Sequence, residues 1–410
     1  IKVSIVGDQN KIKGDSLKAL NKLKLKPFSF NEINIDKTKL FIDAIYGIGL
    51  SRKINKKECA ILNTLDKHTA PIIAIDIPSG IDSNNGKILG FACYSDLTIT
   101  FSTLKAGHIL LPGSEKINRI KIVDIGISKD VINKIKPSIK INNKNQWVKD
   151  INWPKINDHK YSRGYSLIIG GPKNMTGASR LAAISAQRAG SGIVALAAEK
   201  QAENIYFISL TSQLVKTYKN IKEYNTIINE PRIDSIVIGP GLDISNKSIL
   251  KIKSALKTNK RIILDAGALS CFKNKLGILV KILSGKDVII TPHEGELKSI
   301  LPNLSGSLID KALKAAKILN TIVVLKGATT VIASPNNKAL VNTAGAKWLA
   351  TAGSGDVLAG IIGGLLSNKM DTFYAAAYAV WLHSEAGKHL GPGLVAEDIP
   401  KILPKILKII

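Results

Sequence analysis

Residues 349–367 read LATAGSGDVLAGIIGGLLS, setting glycines at 353 and 355 and a carboxylate at 356 directly against a long apolar run. Glycines let backbone N–H groups converge, and a helix that begins there adds partial positive charge, so the pair makes a hollow for an anion. An aspartate at that place has two readings. Asp356 caps the helix, or it takes a proton from a hydroxyl that attacks a phosphoryl group held in the hollow. The readings are compatible, and the second requires a nucleotide nearby.

Other strand ends carry suitable partners. In VVLKGATTVIASP, Lys326 can meet phosphate charge while Gly327 admits the main chain and Thr330 offers a hydroxyl, although a strand ending in Lys-Gly is weak alone. In ITPHEGEL, His293 reads as a hydrogen-bonded loop residue before a metal ligand, because no second His or Cys stands at ligand spacing. Glu296 is suited to organising Mg²⁺ through water. GGPKNMTGASRLAAISAQRAGSG and IGPGL are glycine-rich strand exits; taken singly they are a core helix and a plain turn. Together, strand ends bearing Gly, His, Lys, Asp and Glu favour one site over separate accidents. Earlier in the chain, FIDAIYGIGLSRKI and IAIDIPSGIDSNNGKILG place Asp43 and Asp76 at strand ends, with Ser79 in a Pro-Ser-Gly turn. Such aspartates organise turns through their side-chain oxygens, or move a proton on a bound ring.

These residues need a scaffold that brings strand ends to one edge. Short β-branched runs recur with helical segments between them: IKVSIVG, KLFIDAIYG, PIIAIDIPSG, DLTITFS and IKIVDIGI, then YSLIIGG, GIVALAAE, SIVIGPG, RIILDAG, DVIITPHEGE and TIVVLKGATTVIAS. That is the pattern of parallel α/β architecture, in which ligands sit beyond the carboxyl ends of strands. The rhythm fails in the polar stretch around KINNKNQWVKDINWPKINDHK. We therefore expect an α/β domain over residues 1–135, a linker over 136–158 and a second α/β domain over 159–410.

Composition excludes several classes. A chain of 410 residues with near-zero mean hydropathy is globular, and no apolar run approaches a membrane span. Three cysteines, far apart and without Cys/His spacing, argue against a disulfide framework or a zinc site and fit a reducing cytoplasm. The net charge of +27 is scattered lysine with only 5% aromatics, so a nucleic-acid platform is not expected and a nucleotide-sized anion is. The ending IPKILPKILKII is basic and amphipathic, but its prolines favour a short docking segment over membrane contact.

Taken in order, GGPKNMTGASRLAAISAQRAGSGIV, IGPGL, TPHEGEL, VVLKGATT and ATAGSGDVLAGIIGGLL resemble the motifs of the ADP-dependent NAD(P)H-hydrate dehydratases, a branch of the ribokinase-like fold, over residues 160–400. The resemblance implies ADP-driven phosphorylation of the 6-hydroxyl of hydrated NADH or NADPH, followed by phosphate loss. It makes Asp356 the base, with Ala178, Gly241 and His293 contacting the hydrated cofactor. Lys326, Gly327, Ala328, Thr329 and Thr330 would bind ADP, with the loop of Ala346, Lys347, Trp348, Leu349, Ala350, Thr351, Ala352, Gly353, Ser354 and Gly355. LDAGAL departs from the family in Gly267, where a second Asp is usual, and Glu294 stands where Pro is common.

The first half resembles the NAD(P)H-hydrate epimerase domain, which interconverts R and S hydrates on a Rossmann-like three-layer αβα fold. By that resemblance Asp76 contacts substrate, a loop of Gly47, Ile48, Gly49, Leu50, Ser51, Arg52 and Lys53 lies on its phosphate side, and Asp43 with Ser79 binds K⁺. The family's Asn-Asn-Gly-Gly-Asp-Gly loop has no counterpart, and the chain opens on Ile. We therefore expect a truncated first domain that epimerises poorly beside a dehydratase acting on the S hydrate, in a cytoplasmic homo-oligomer. Two alternatives stay open: a ribokinase-like kinase of a vitamin-precursor alcohol, which would lack the epimerase-like half, and a non-catalytic nucleotide-binding scaffold, which would not need Asp356.

Overall fold

β-Branched runs separated by helical segments build two parallel-sheet units in the computed structural model, divided between Lys136 and Pro137. The structure describes residues 1–410 except Ile33, Asn34, Ala344, Ala346 and the side chain of Lys129. In the first unit, β1 (Phe41–Asp43), β2 (Ile72–Ile75), β3 (Ser95–Phe101) and β4 (Ile117–Val123) lie side by side in chain order, every pair parallel. Helix Lys56–Asp66 covers β2. Its start is fixed by a reciprocal cap between Asn55 and Glu58, and Leu62 and Leu65 bury against Leu50, Ile54 and Ile72. The opening IKVSIVG, expected as a strand, makes a single parallel bridge from Ser4 to Phe28. Phe28 N–H donates to the Val3 carbonyl at 2.8 Å, and the pairing goes no further among the described residues.

The second unit is built on a sheet of ten strands: β5 (Ile139–Ile141), β6 (Tyr165–Ile169), β7 (Ile193–Glu199), β8 (Leu214–Tyr218), β9 (Ser235–Ile238), β10 (Arg261–Leu264), β11 (Val288–Ile290), β12 (Ile322–Leu325), β13 (Thr330–Ala333) and β14 (Ala339–Asn342). Their order is β5-β14-β13-β12-β11-β10-β9-β6-β7-β8, parallel from β12 through β8, with β13 antiparallel to both its neighbours. The chain runs outward from β6 to β8 and returns to β9 on the other side of β6. That reversal is where open parallel sheets leave a crevice. Strands β6, β9 and β11 are buried throughout, which is why they read as continuous apolar runs.

Glycines decide how closely the helices approach. Helix Ser354–Ser367 lies against helix Thr176–Arg188 with almost no side chain between them: a Cβ on Gly360 would stand 2.2 Å from the Ala182 carbonyl oxygen, and one on Gly364 2.4 Å from that of Ala186. Gly363 meets the sheet in the same way, its Cβ position 2.4 Å from Val237 Cγ2. The apparent excess of glycine in GIIGGLL is thus the requirement of backbone-to-backbone packing.

The segment expected as a linker belongs to the second unit. β5 pairs with β14, and Trp147 is fully buried, stacked on Tyr378 at 4.3 Å between ring centroids. Its indole N–H donates to Asn142 Oδ1 at 3.1 Å, and the Asn142 amide donates to the Asn342 side chain and the Ala377 carbonyl. A polar composition concealed one aromatic anchor and its hydrogen-bonded partner. The carboxyl-terminal segment docks as helix Asp398–Leu407, burying Ile399, Ile402, Leu403 and Ile406 despite Pro404 inside it. Among the described residues, no helix is long and apolar enough to cross a membrane.

Gly360→Ala is expected to destabilise the protein by about 1–3 kcal/mol through overpacking, whereas Gly277→Ala, in a helix with open space at its Cβ position, is neutral or slightly stabilising. Paired urea unfolding curves measure both; equal midpoints would contradict the packing argument.

Candidate functional site

The carboxyl ends of β12, β11, β10, β9 and β6 follow one another along one edge of the sheet, so the residues after them become neighbours. Lys326 N–H donates to the Pro292 carbonyl at 2.8 Å, and Lys326 and His293 pair as an isolated bridge. The Lys326 side chain turns toward β10, where Nζ donates to Asp265 Oδ1 at 2.7 Å. Thr291 Oγ1 donates to the same oxygen at 2.7 Å. Asp265 is 1% exposed. Burial by itself would lower the Lys326 pKa, but the Asp265 carboxylate outweighs it, so the ammonium is held above its usual range.

Helix Ser354–Ser367 aims its first turn at this pair. Gly353 precedes it with φ 87°, a conformation that glycine alone adopts readily, and a Cβ there would meet Leu181 Cδ1 at 2.7 Å. Ser354 Oγ lies 3.0 Å from Nε2 of His383, which burial keeps neutral with its pKa lowered to about 4. A Cβ on Gly355 would stand 3.3 Å from Lys326 Nζ, so the ammonium lies over the first turn. Asp356 is the third residue of the helix and makes no side-chain cap. Its carboxylate has no hydrogen-bond partner among the described residues. Burial, then repulsion from Asp265, push its pKa up to about 6 against the pull of Lys326. The capping reading of Asp356 is therefore corrected: Gly353 is the cap, and the carboxylate is unengaged among the described residues.

The remaining expected residues fall into three places. Ala178 and Gly241 meet at the β6 and β9 exits, where a Gly241 Cβ would lie 3.4 Å from that of Ala178. Gly239 joins this group to the first, since a Cβ there would be 1.8 Å from the Asp265 carbonyl oxygen. His293 caps helix Glu294–Ile300, its Nδ1 accepting from Gly295 and Glu296 N–H, so its proton sits on Nε2; the Glu296 carboxylate is itself engaged by the His293 N–H. At the β12–β13 turn, Gly327 and Thr330 hydrogen-bond each other and the Gly345 N–H donates to Ala328. Beyond it, Lys347 Nζ covers the Trp348 ring at 4.7 Å, the stretch Leu349 to Ala352 leads into the cap, and Ala346 lies outside the described residues. Asp265 and His383 were not singled out from the sequence. RIILDAG does carry the signal for Asp265, a carboxylate closing an apolar strand, whereas nothing local marks His383.

In the first unit, Asp43 ends β1 and is 1% exposed. Its two oxygens accept from the Ser79 N–H at 2.8 Å and the Ser79 hydroxyl at 2.5 Å. Tyr46 O lies 3.3 Å from the Ser79 oxygen. Burial holds the Asp43 carboxyl above its usual pKa. Asp76 follows β2 with φ 67°, a strained conformation for a residue with a side chain. It accepts from Lys105 Nζ at 2.7 Å and from Ile48 N–H at 3.2 Å. Burial would raise its pKa, but Lys105 prevails and keeps it ionised. Gly47 passes over the carboxylate, its Cβ position 3.1 Å from Oδ2, and Gly49, Ser51, Arg52 and Lys53 continue as an exposed loop pinned by the buried Leu50. Lys105 was not singled out from the sequence either.

Comparison with known proteins accords with both halves. The family model described as NAD(P)H-hydrate dehydratase matches residues 166–405, and the one described as YjeF-related protein N-terminus matches residues 1–107. The bifunctional NAD(P)H-hydrate repair enzyme Nnr of Dictyoglomus turgidum is 33% identical over 94% of this chain and 78% of its own length; that of Mycobacterium leprae is 30% identical over 90% and 75%. Among solved structures, the ADP/ATP-dependent NAD(P)H-hydrate dehydratase of Bacillus subtilis, co-crystallised with ATP/Mg²⁺, superposes with a TM-score of 0.57 at 27% identity, covering 66% of this chain and 98% of that one. A ribokinase-like superfamily protein of Enterococcus faecalis shares the fold with a TM-score of 0.58 at 23% identity, covering 66% and 96%. These matches disfavour the reading as a vitamin-precursor kinase. With an epimerase-like first unit and a ribokinase-like dehydratase second unit, the chain belongs to the bifunctional NAD(P)H-hydrate repair enzymes.

Proposed function

We propose that the second unit dehydrates the S hydrate of NADH or NADPH at the expense of ADP, with Asp356 as the general base. The observation that carries this reading is a carboxylate unengaged among the described residues, its pKa raised to about 6, at a glycine-preceded helix start under a lysine ammonium. Asp356 takes the proton of the 6-hydroxyl as that oxygen bonds to the terminal phosphorus, and the P–O bond to AMP breaks. Lys326 and the first-turn N–H groups of Gly355 and Asp356 receive the charge on the transferring group. The ring nitrogen's electron pair then expels phosphate from C6, and the C5 proton passes to water. The turn from Lys326 to Thr330 and the loop reaching Gly355 hold the nucleotide, while Ala178, Gly241 and the exposed face of His293 line the hydrated ring.

Mg²⁺ would supply charge neutralisation to the nucleotide's phosphates. Among the described residues no cluster of three His, Cys, Asp or Glu offers it a protein cage, and Glu296 is already engaged, so it fits only through water. In the first unit, Asp76 acts on the substrate at the mouth of the Gly47–Lys53 loop. The residues there fit K⁺: among the described residues the buried Asp43 carboxylate has no cationic side chain on it, and Ser79 Oγ and Tyr46 O stand beside it. Three free thiols suit a cytoplasmic setting.

Two assays test this. With S-hydrated NADH and ADP, the wild type restores reduced-nicotinamide absorbance with a rate that rises as pH passes about 6, and Asp356→Asn loses about 10²-fold or more; no turnover by the wild type, or full turnover by the variant, rejects the assignment. With R hydrate supplied, conversion to the S form falls at least about tenfold in Asp76→Asn and falls when K⁺ is replaced by choline. Indifference to both changes would remove the first-unit reading.

A further inference from the structure

The Lys326 ammonium has a choice of two carboxylates. It lies over the turn that bears Asp356 and feels that group's charge, yet its one hydrogen-bond partner among the described residues is Asp265, at 2.7 Å. An ammonium carries three N–H donors. Bound to Asp265 through one, Lys326 keeps two for a phosphate; bound to Asp356, it would occupy the electron pairs that the base must use.

Asp265 is built to hold its place. Its carboxylate is buried and fixed by the Thr291 hydroxyl as well as the lysine. The backbone on either side is clamped between strand exits: Gly239 lies against its carbonyl, Gly267 packs on the Leu242 carbonyl with a Cβ position at 2.1 Å, and Ala266 adopts φ 42°. A non-glycine residue with positive φ persists only where its surroundings over-determine it. In this chain Gly267 leaves no room for a side chain, which would strike the β9 exit.

We propose that Asp265 is a positioning residue of the phosphoryl-transfer site, holding the Lys326 ammonium over the first turn of helix Ser354–Ser367 and away from the Asp356 carboxylate. The proposal rests on the dehydratase reading above and names a role for a residue outside the set that touches substrate. The other ionisable groups facing Lys326 and Asp356 do not serve in its stead. Glu296, from helix Glu294–Ile300, is engaged by the His293 N–H. His383, from helix Thr372–Leu390, is buried and neutral.

The test is the pH dependence of dehydration in the full chain. Wild-type kcat/KM rises through an acid limb near pH 6. In Asp265→Asn the repelling charge is gone and Lys326 turns to Asp356, so the limb moves to lower pH by about one unit or more and kcat falls about tenfold or more. In Lys326→Met the limb moves to higher pH. A merely structural role for Asp265 would lower the rate and leave the limb in place, which overturns the proposal, as does a limb unmoved in Lys326→Met if Asp265→Asn does not fold. Carboxyl ¹³C titration of Asp356 in the substrate-free wild type and variants reads the same two shifts without turnover. Wild-type inactivity would therefore reject the dehydratase reading, while unmoved Asp356 titration would reject this one.

Discussion

Everything in the second unit is referred to the contact between helix Ser354–Ser367 and helix Thr176–Arg188. Where a Cβ on Gly360 would stand 2.2 Å from a carbonyl oxygen, the helices are separated by backbone alone, and their relative height has little freedom. At the other end of the longer helix, buried hydroxyls of Ser166 and Ser235 donate to the Gly363 carbonyl, and Ser367 bonds to Ser191. A helix fixed along its flank and at its base delivers its first turn to one position at the sheet edge. Pre-organisation of that kind matters for phosphoryl transfer, where protein groups contribute by standing in place before charge develops.

The site built around that turn balances opposite charges. A buried carboxylate, Asp265, and a half-buried one, Asp356, both face one lysine, which pairs with Asp265. Were the lysine placed midway, neither carboxylate would be distinct; the Thr291 hydroxyl and the clamped β10 exit draw it to one of them. The first unit uses a related arrangement with the assignment reversed: there Lys105 pairs directly with Asp76, and the buried Asp43 is the carboxylate left to hydroxyl and backbone donors.

Much of this was legible in the sequence wherever the signal was local. Glycine spacing around Asp356, the Lys-Gly strand tip and the β-branched runs each express their physics within a few residues, and they gave the sheet, the helix start and the edge where the site forms. The misses share a different character. Asp265 gains its meaning from Lys326, 61 positions away, and His383 from Ser354, 29 away; neither has a neighbour in sequence that announces it. IKVSIVG alternates as a strand should, but a strand needs a partner along its length, and among the described residues this one meets a partner only at the Ser4–Phe28 bridge. Asp356 looked able to cap its helix because capping residues are read by type, whereas its place in the helix is the third residue and glycine holds the cap.

The polar stretch after Pro137 illustrates the same lesson with a practical edge. It reads as a tether, yet it supplies a strand to the sheet and seats Trp147 against Tyr378 and Trp381. The residues after Pro137 thus belong to the second unit and are not a spacer. A chain begun at residue 159 would carry every group assigned to the dehydration chemistry and still be incomplete, with β14 turned into a bare edge and an aromatic socket left unfilled.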